Sequence, residues 1–464
     1  MKKYHAIVAG AGIAGMESAL NLAAQGYKVL LVEKEASIGG NMIALSKVFP
    51  TLDCASCITT PKMSEVAHSD NIETLTYTEV KEIKKDGHDF TVKLLKKPRY
   101  VREDICIGCK KCEDVCPVYV KHEFERETGA RKAVCILFTT AIPQKAVLDP
   151  ATCMQCGKCY DICPTNPKSI DFDQEPVEIT VQANTVIIST GFKLTAIDRK
   201  KEYSDGSQKN IITAFQMERL LAPSGPFGSV MRPSDGKAPE NVAFILCAGS
   251  RDKSIGVPYC SRVCCMYSIK QAMLLSGALP MCDITVYYMD IRAFGKGYEQ
   301  FYRNAEAMGI KFVKAKAAKM TEDKEGNIEI KIEEIETTGA PRTVKHDLVV
   351  MANGILPEIN PSKISGAAAD EYGFIIQPKM KYDPQATSVE GLFFAGVAGG
   401  PKDIVDTIAE AGAAAMKAAN YINNIAGVNV SSSRPASHRK HRMTNSGISG
   451  ETRDTRRTRR GYLL

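Results

Sequence analysis

The stretch that decides the fold is YHAIVAGAGIAGMESALNLAAQGYKVLLVE, residues 4–33. It begins with an apolar strand at 4–9 and continues through a glycine-rich turn, GAGIAG, at 10–15. Helical spacing of apolar residues follows over about 13–25, and a second apolar strand covers 28–35. A strand, a tight turn, a helix and a second strand in this order form the first unit of a dinucleotide-binding domain.

The three glycines of this turn have separate roles in such a unit. Gly10 permits the tight turn, Gly12 lets the backbone approach a pyrophosphate, and Gly15 lets the helix and the strand pack closely. Glu33 ends the second strand, 18 residues after Gly15, where an acidic side chain binds ribose hydroxyls. We therefore predict a bound dinucleotide; the alternative is a glycine-rich turn that holds no ligand.

Three further segments favour FAD over NAD as this dinucleotide. Gly39-Gly40 follow the acidic residue, a strand ends in Thr190-Gly191, and GLFFAGVAGG at 391–400 precedes a long helix. These segments resemble those of the two-dinucleotide-domain flavoproteins, similar to thioredoxin reductase. The FAD ligands expected outside the first turn are Gly40, Thr190, Gly191 and Gly396.

One position departs from the pattern of these flavoproteins. Their last segment usually carries an aspartate for the ribitol chain of the flavin. Here Val397 occupies the position where that aspartate is expected. Asp403, at the start of the following helix, is the candidate substitute.

A second strand–helix–strand unit begins at NVAFILCAGS, residues 241–250. Its helix is predicted at about 261–275 and its next strand at 283–290. A pyridine-nucleotide domain would carry a second GxGxxG after the first strand, but this sequence reads CAGSRDKSIG. The sequence therefore predicts no direct binding of NAD(P)H, so electrons arrive and leave by another route.

Between these two units, the segment 102–171 is rich in cysteine and proline. It contains the pattern C-x-x-C-x-x-C-x-x-x-C-P twice, at 106–117 and at 153–164. This is a ligand pattern of [4Fe–4S] ferredoxins, in which the fourth cysteine of each run binds the other cluster. A zinc site would explain neither the third cysteine nor the proline. One predicted cluster is held by Cys106, Cys109, Cys112 and Cys163, and the other by Cys153, Cys156, Cys159 and Cys116.

Four further cysteines predict a third [4Fe–4S] cluster in the second unit. They are Cys247, Cys260, Cys264 and Cys265. Cys247 ends the first strand of that unit, where open α/β sheets usually bind their ligands. We expect Cys260 and Cys264 to share a face of the next helix, provided that the helix begins early enough. Because the spacing fits no common ligand motif, a set of buried free thiols is the alternative.

The remaining four of the sixteen cysteines have other predicted roles. Cys54 and Cys57 form a C-x-x-C close in sequence to the flavin-binding turn, and we interpret them as a candidate redox dithiol. A substrate-facing pair or a merely buried pair is an equal alternative. Cys135 and Cys282 are predicted core thiols. Because the N-terminus is interpreted as a strand and a helix rather than an export signal, the cysteines indicate metal or redox chemistry in the reducing cytoplasm.

Composition and charge exclude two classes of partner. No apolar run in the 464 residues reaches the roughly 18 residues of a membrane helix. The net charge of +7 lies in the stretch 431–464, which has nine Lys or Arg and two Asp or Glu. The rest of the chain is balanced, which predicts no nucleic-acid partner. Low hydrophobicity predicts that 429–464 is a disordered basic tail. The alternative is a basic patch in this tail that binds RNA or a membrane.

The predicted fold is α/β: a thioredoxin-reductase-like flavoprotein with two dinucleotide domains and an inserted two-cluster ferredoxin-like domain. The FAD-binding domain is expected in three parts, at 1–100, 173–238 and 357–428. The ferredoxin-like insertion is expected at 101–172. A second Rossmann-like domain, with the site of the third cluster, is expected at 239–356.

Four features together resemble the A subunit of heterodisulfide reductase over residues 1 to about 428. They are FPTLDCASCITTPKM (49–63), the double ferredoxin insertion, YCSRVCCMYSIKQA (259–272) and AGVAGGPKDIVDTIAEAG (395–412). The resemblance supports the third cluster, because YCSRVCC matches a cluster-binding stretch of that family. Lys270, on the helix after these cysteines, is a candidate for stabilising the charge of reduced flavin. A solvated surface lysine is the alternative.

The resemblance implies an oxidoreductase subunit that acts on sulfur groups in a cytoplasmic hetero-oligomer of anaerobes, with a role in methanogenesis. Family members bifurcate or confurcate electrons between a hydrogenase or formate dehydrogenase module, ferredoxin, and the heterodisulfide of coenzymes M and B. The implied partners are subunits similar to B and C of the reductase, an electron-input subunit of the hydrogenase or formate dehydrogenase, and ferredoxin. The alternative is a non-catalytic electron-wiring subunit of a menaquinol-linked redox complex.

Overall fold

The structure is a computed structural model, and it describes residues 1–335 and 340–427. The predicted basic tail lies outside the described residues. Within them, the strands are β1 (Lys2–Ala9), β2 (Val29–Val32), β3 (Ile72–Leu75), β4 (Thr78–Asp86), β5 (Asp89–Lys96), β6 (Tyr119–Lys121), β7 (Ala130–Lys132), β8 (Val134–Cys135), β9 (Val147–Leu148), β10 (Val177–Ile188), β11 (Phe192–Leu194), β12 (Ile211–Thr213), β13 (Asn241–Ala248), β14 (Asp283–Tyr288), β15 (Lys311–Glu322), β16 (Ile328–Glu334), β17 (Pro341–His346), β18 (Leu348–Asn353), β19 (Ile355–Pro357) and β20 (Leu392–Phe394). The α-helices are α1 (Ile13–Ala23), α2 (Ala55–His68), α3 (Lys111–Val115), α4 (Lys158–Ile162), α5 (Ala214–Leu221), α6 (Cys264–Ala278), α7 (Tyr298–Ala307), α8 (Ser362–Ser365) and α9 (Ile404–Ile425).

The first sheet is parallel at its centre. β1 lies between β2 and β10, and both neighbours run parallel to it; β3 and β20 extend the parallel part. All four residues of β2 are buried, as expected for a strand that is covered on both faces. On one face, alanines of α9 such as Ala411 and Ala415 share a core with Met16 and Ala19 of α1. These small side chains let the two helices approach closely.

The insertion is attached to this sheet at a single place. β5 and β10 are antiparallel, and Lys96 at the end of β5 pairs with Val177 at the start of β10. The chain therefore leaves the sheet and returns to it at the same point. The segment between them contains α3, α4 and two small sheets, β6–β7 and β8–β9, around a core of its own. Its exact limits, 101 and 172, remain a prediction.

The second sheet has the order β12-β18-β13-β14-β15-β16-β17. Its first five strands are parallel, and β16 and β17 add an antiparallel edge. α6 connects β13 to β14, and α7 connects β14 to β15, as in a dinucleotide-binding unit. β11 and β19 pair with each other where the chain enters and leaves this unit.

α6 begins later than the sequence predicted. The expected helix covers about 261–275, whereas α6 covers Cys264–Ala278. Arg262 has a φ of +60°, in the left-handed region, and a right-handed α-helix does not include that conformation.

None of the helices in 1–335 and 340–427 is both long and apolar enough to cross a membrane.

Candidate functional site

Gly10 and Gly15 are required by the fold of the first turn. Gly10 has a φ of +106°, and a Cβ there would lie 2.4 Å from the carbonyl oxygen of Ser189, in the loop that follows β10. A Cβ at Gly15 would lie 1.8 Å from the carbonyl oxygen of Gly10. Both positions therefore exclude side chains whether or not a ligand is bound.

Gly12 differs from its two neighbours because the protein itself leaves space beside it. The nearest atom to a Cβ at Gly12 would be the Cα of Gly40, at 3.8 Å, which is an ordinary contact. Gly12 is also the N-cap of α1 and provides no side-chain cap, so the first N–H groups of the helix are left for another acceptor. An open cradle at a helix N-terminus fits a pyrophosphate.

Glu33 is buried at the bottom of this cradle. Its side chain is 6% exposed. Its carboxylate accepts hydrogen bonds from the backbone N–H of Ala11, at 2.7 Å, and of Glu35, at 3.0 Å. Burial raises the pKa of Glu33, although these two hydrogen bonds oppose the shift. Each oxygen keeps a second lone pair, so the carboxylate fits a ribose diol that donates two hydrogen bonds.

The other predicted FAD segments meet the cradle at the same edge of the first sheet. The backbone of Gly40 lies against Gly12, because a Cβ at Gly40 would be 2.7 Å from the Cα of Gly12. Thr190 and Gly191 follow β10, and Gly396 follows β20, at the carboxyl ends of strands parallel to β1. Ligands of open α/β sheets bind at this edge.

Asp403 connects the end of the first unit to the second. Its Oδ1 accepts a hydrogen bond from the N–H of Asp406 at 2.9 Å and so caps α9. Its Oδ2 accepts a hydrogen bond from the hydroxyl of Tyr298, on α7, at 2.6 Å. Both oxygens are therefore engaged within the protein, and the role of Asp403 as a ribitol ligand remains a prediction.

Arg126, which sequence reasoning missed, reaches from the insertion to the loop after Gly40. Its Nη2 donates to Asn41 Oδ1 at 2.8 Å, and its guanidinium lies 4.7 Å from the ring centre of Phe215. Burial lowers its pKa, and its buried Nε has no hydrogen-bond partner within the described part of the chain. A donor without an acceptor beside the cradle fits a polar ligand group. No local pattern in the sequence marks this arginine.

Each of two cavities in the insertion is lined by four cysteines. One encloses about 360 Å³ of empty space and the other about 330 Å³, part of it open to solvent. The first contains Cys106, Cys109, Cys112 and Cys163, and the second contains Cys116, Cys153, Cys156 and Cys159. These are the two sets that the motif predicts, with the fourth cysteine of each run exchanged. In each set the four thiols line a cavity and do not meet at the position of a single metal ion. Within residues 1–335 and 340–427, no three His, Cys, Asp or Glu side chains are placed to bind one metal ion.

The thiols in the two cavities have different surroundings. Burial raises the pKa of Cys112 to about 12 and that of Cys159 to about 11. For Cys163, burial also acts upward, but hydrogen bonds with Ser169 and Thr165, each at 3.2 Å, lower the pKa to about 7. Hydroxyl groups thus favour a thiolate at Cys163, which is the form that binds iron.

The four cysteines of the second unit lie within electrostatic reach of one another at the carboxyl edge of the second sheet. Cys247 lies in an irregular part of β13 and has a φ of +58°. Cys264 and Cys265 are buried and are the first two residues of α6. The pKa of Cys264 is raised by its hydrogen bond with Cys265, by burial and by the nearby thiols of Cys247 and Cys260. These interactions indicate that the four thiols lie near one another, and the cluster itself remains a prediction.

Cys260 reaches this group from a loop. The prediction that it shares a helix face with Cys264 is wrong, because α6 begins only at Cys264. The backbone N–H of Arg262 donates to Cys260 Sγ at 3.3 Å, and the left-handed conformation of Arg262 turns the loop at this point. The irregular part of this segment thus lies before the helix.

Lys270 is buried, which excludes the alternative of a solvated surface lysine. Its Nζ forms an ion pair with Glu218 and donates to the carbonyl oxygen of Lys47 at 2.8 Å. Burial lowers the pKa of Lys270, and Glu218 opposes that shift. Glu218 also accepts hydrogen bonds from Ser46 and Gln271. Sequence reasoning missed Glu218, because 52 positions separate it from Lys270.

Cys54 and Cys57 are joined by a disulfide, with their Cα atoms 5.2 Å apart. Cys57 is exposed and Cys54 is half-buried, so the alternative of a merely buried pair is wrong.

Cys135 is a buried thiol, as predicted. Cys282 lies just before β14 and is only partly buried, because its position is at the amino edge of the second sheet; the prediction of a core thiol is wrong there.

Two family models match parts of this chain. The one described as "4Fe-4S dicluster domain" matches residues 97–167, which include both cysteine runs of the insertion. The one described as "NAD(P)-binding Rossmann-like domain" matches residues 8–52, which include the glycine turn and Glu33. Together with the fold, these matches support FAD and iron–sulfur clusters as the cofactors.

Solved structures confirm the predicted fold. Thioredoxin reductase from T. acidophilum has a TM-score of 0.51 and 18% sequence identity, and the match covers 92% of this chain and 99% of that chain. Thioredoxin reductase from Lactococcus lactis has a TM-score of 0.50 and 14% identity, with 91% and 99% covered. This likeness concerns the arrangement of the two dinucleotide-domain sheets and not the activity.

Curated relatives match most of this chain. The A subunit of the H2:CoB-CoM heterodisulfide,ferredoxin reductase of Methanothermobacter thermautotrophicus is 44% identical over 421 residues, 89% of this chain and 63% of that protein. An iron–sulfur A subunit of the CoB–CoM heterodisulfide reductase of Methanopyrus kandleri is 46% identical, with the same shares covered. The A subunit of the ferredoxin:CoB-CoM heterodisulfide reductase of Methanosarcina mazei is 40% identical over 89% of this chain and 52% of that protein. The chain thus spans less than two thirds of the length of these relatives. Over about nine tenths of its own length, it is similar to the A subunits of heterodisulfide reductases, as its motifs predict.

Proposed function

We propose that this chain is a flavin- and iron–sulfur-containing electron-transfer subunit of a heterodisulfide-reductase-like complex. One observation carries the proposal: a dinucleotide cradle and two four-cysteine cavities lie on one chain, and the insertion with the cavities is attached to the same sheet that forms the cradle. Flavins exchange two electrons and [4Fe–4S] clusters exchange one. A two-electron site beside one-electron sites fits a subunit that divides or joins electron pairs.

The cradle supports FAD as the dinucleotide. Bound FAD would supply the redox chemistry of its isoalloxazine ring. The residues of this chain bind and orient it: Gly12 and the N-terminus of α1 hold the pyrophosphate, and Glu33 holds the adenosine ribose. Arg126 gives the insertion a contact to the loop beside this site. The unit that holds the clusters is thereby positioned against the unit that holds the flavin.

The reaction that we propose is flavin-based electron bifurcation or confurcation. Electrons would pass between a hydrogenase or formate dehydrogenase module, ferredoxin, and a thiol–disulfide couple. The chain would act in a cytoplasmic hetero-oligomer, with subunits similar to B and C of heterodisulfide reductase, as an oxidoreductase on sulfur groups. The support is the similarity to the A subunits of such reductases together with the eight cysteines of the insertion.

Anaerobic purification of the complex tests this proposal. We expect two kinds of protein to co-purify with this chain: a hydrogenase or formate dehydrogenase, and a cysteine-rich subunit that cleaves disulfides. Reduction of ferredoxin that depends on the simultaneous reduction of a disulfide would support bifurcation. Co-purification of a membrane haem subunit instead, without disulfide reduction, would contradict the proposal.

Direct reduction by NADPH is expected to fail. The second unit has no GxGxxG pattern after its first strand, and 15 residues (249–263) separate the end of β13 from the start of α6. The N-terminus of α6 therefore faces a group of thiols rather than a nucleotide phosphate. Stopped-flow mixing of the chain with NADPH should leave the flavin absorbance unchanged. Dithionite should bleach the same sample, which shows that the flavin is reducible; rapid bleaching by NADPH would refute the expectation.

The two charges of the ion pair, on Lys270 and Glu218, are expected to shift the midpoint potential of the flavin in opposite directions. If Lys270 faces the flavin, Glu218→Gln leaves its positive charge uncompensated and raises the flavin midpoint potential. Glu218→Gln combined with Lys270→Met removes both charges, so the potential falls below that of Glu218→Gln alone. Either single change, of Lys270 or of Glu218, leaves the other buried charge unpaired and destabilises the fold, so thermal unfolding is measured for Glu218→Gln together with its flavin potential.

Redox titration of the flavin in these two variants measures the effect. An electrostatic change of about 1 kcal/mol corresponds to a shift of roughly 20 mV in a two-electron potential. Lys363→Met, on the short helix α8 and far in sequence from the ion pair, is the control and should leave the potential unchanged. Equal potentials in all variants would show that Lys270 does not act on the flavin.

A further inference from the structure

The bonded pair Cys54 and Cys57 stands apart from the other cysteines. All sixteen cysteines lie in the described residues, and the other fourteen are free thiols. None of the proposed electron sites uses this pair: the eight cysteines of the insertion line the two cavities, and four others form the group in the second unit. A C-x-x-C disulfide without a role in those sites requires its own explanation.

The two sulfurs are not equivalent, because within the described residues hydrogen-bond donors are found beside the sulfur of Cys54 and not beside that of Cys57. Cys54 is the N-cap of α2, a helix of 14 residues, and its Sγ accepts a hydrogen bond from the N–H of Cys57 at 3.2 Å. The hydroxyl of Ser56 lies 3.3 Å from the same sulfur. A helix N-terminus and hydrogen-bond donors lower the pKa of a thiol and make it the better leaving group.

The other sulfur is the accessible one. Cys57 is exposed. Cys54 is half-buried, and the N–H of Cys57 and the hydroxyl of Ser56 lie beside its sulfur. An attacking thiolate approaches a disulfide along the S–S bond, from the side of the sulfur that it attacks. Access therefore selects Cys57 as the attacked sulfur, and the surroundings of Cys54 select it as the sulfur that leaves.

We infer that Cys54 and Cys57 form a thiol–disulfide exchange site for an external small-molecule thiol. A thiolate forms a bond to Cys57 Sγ, the bond between the two Sγ atoms breaks, and Cys54 leaves as a thiolate. A second thiolate attacks the sulfur of the bound thiol, so an external disulfide leaves and Cys57 is released. In total, two thiols and the protein disulfide give one external disulfide and two protein thiols. The two thiols lose two electrons, the pair gains them, and the two protons pass to Cys54 and Cys57.

This inference goes beyond the proposed electron route, because the exchange needs neither flavin nor cluster. The position of the disulfide nevertheless links it to Lys270, which we propose to act on the flavin. The backbone of Cys54 pairs with Lys47, and the carbonyl oxygen of Lys47 accepts a hydrogen bond from Lys270 Nζ at 2.8 Å. Opening the disulfide therefore releases a covalent constraint next to the loop that holds Lys270.

Peptide mapping of the anaerobic protein tests the inference. Trypsin releases residues 48–62, VFPTLDCASCITTPK, which contain both cysteines of the pair and no other. Incubation with reduced glutathione, acid quenching and alkylation should convert this peptide from the disulfide to the doubly alkylated form. A peptide that stays oxidised in glutathione but is reduced after denaturation would identify a structural disulfide and overturn the inference.

Two matched variants test which sulfur reacts. With oxidised glutathione, Cys54→Ser should trap a mixed disulfide on Cys57, because no second thiol is present to release it. Cys57→Ser should trap about tenfold less, because oxidised glutathione reaches the half-buried Cys54 less readily than the exposed Cys57. Equal trapping, or more on Cys54, would contradict the assigned roles. Flavin content is measured in the same samples: exchange without bound flavin would count against the proposed function alone, and bound flavin without exchange against this inference alone.

Discussion

Replacing Gly12 by valine is expected to give a folded protein that does not retain FAD. A Cβ at Gly12 meets only the Cα of Gly40, at 3.8 Å, so the backbone accommodates the first carbon of the new side chain. The added side chain occupies the space in which we place the pyrophosphate, between α1 and Gly40. Overpacking of this kind costs about 1–3 kcal/mol or more, and at about 3 kcal/mol the dissociation constant rises roughly 100-fold.

The measurement is the flavin released by acid or heat, identified by chromatography and counted per chain. The wild-type chain should release FAD that is not covalently bound, and Gly12→Val should release almost none. Iron content and circular dichroism should be unchanged, because the insertion has its own core. FMN or no flavin from the wild type, or FAD retained by Gly12→Val, would contradict the proposed site.

Two other glycines serve as controls for this substitution. Gly277→Val adds the same side chain to an exposed part of α6, where no atom lies within 4 Å of a Cβ, and should keep its FAD. Gly15→Val should fail to fold, because its Cβ would overlap the carbonyl oxygen of Gly10 at 1.8 Å. Gly12 thus separates the loss of a ligand from the loss of the fold, which Gly15 cannot do.

The parts of the fold that local patterns determine were predictable from the sequence. β2 and the second half of β1, Ala6–Ala9, are continuous apolar runs on either side of the glycine turn and its helix, and this pattern predicts the first parallel pair of strands. The cysteine runs are equally local, because three ligands of each cluster lie within seven residues, such as 106–112. The exchange of the fourth cysteine was also predictable, since it follows from the motif.

Contacts between distant segments of the chain were not predictable, because each depends on side chains that are far apart in the sequence. Lys270 occupies what looks like an ordinary helix position, yet Glu218 pairs with it in the core. Arg126 lies in a loop without periodicity, yet it contacts Asn41. The start of α6 was misplaced because a non-glycine residue, Arg262, adopts a left-handed conformation. Such a conformation costs about 1–3 kcal/mol and is maintained by its surroundings, often at functional sites.

The left-handed backbone conformation occurs at two places where the chain is expected to surround a cluster. In the insertion, the N–H of Gln155 donates to Cys153 Sγ at 3.3 Å, and Gln155 has a φ of +56°. In the second unit, the N–H of Arg262 donates to Cys260 Sγ at 3.3 Å, and Arg262 has a φ of +60°. Cys260 therefore has the local backbone of a predicted cluster ligand, although its spacing fits no common motif.

We accordingly expect three [4Fe–4S] clusters per chain, the third held by the cysteines of the second unit. The anaerobically purified protein should contain about twelve iron atoms, and Cys264→Ser or Cys260→Ser should reduce the number to about eight. Cys282→Ser is the matched control and should keep about twelve, because Cys282 precedes β14 at the opposite edge of the sheet from Cys247. Flavin content should be unchanged in all of these variants.

The alternative of buried free thiols gives a different result in the same measurement. The wild type would then contain about eight iron atoms, unchanged by Cys264→Ser, and alkylation after denaturation would recover all four thiols. The structure favours the cluster on energetic grounds. Cys247 is held in a left-handed conformation that a plain thiol does not require, and Cys264 and Cys265 bury two sulfurs side by side at a helix N-terminus. Its hydrogen bond with Cys265, burial and the nearby thiols raise the pKa of Cys264, and iron would stabilise the thiolates that these surroundings disfavour.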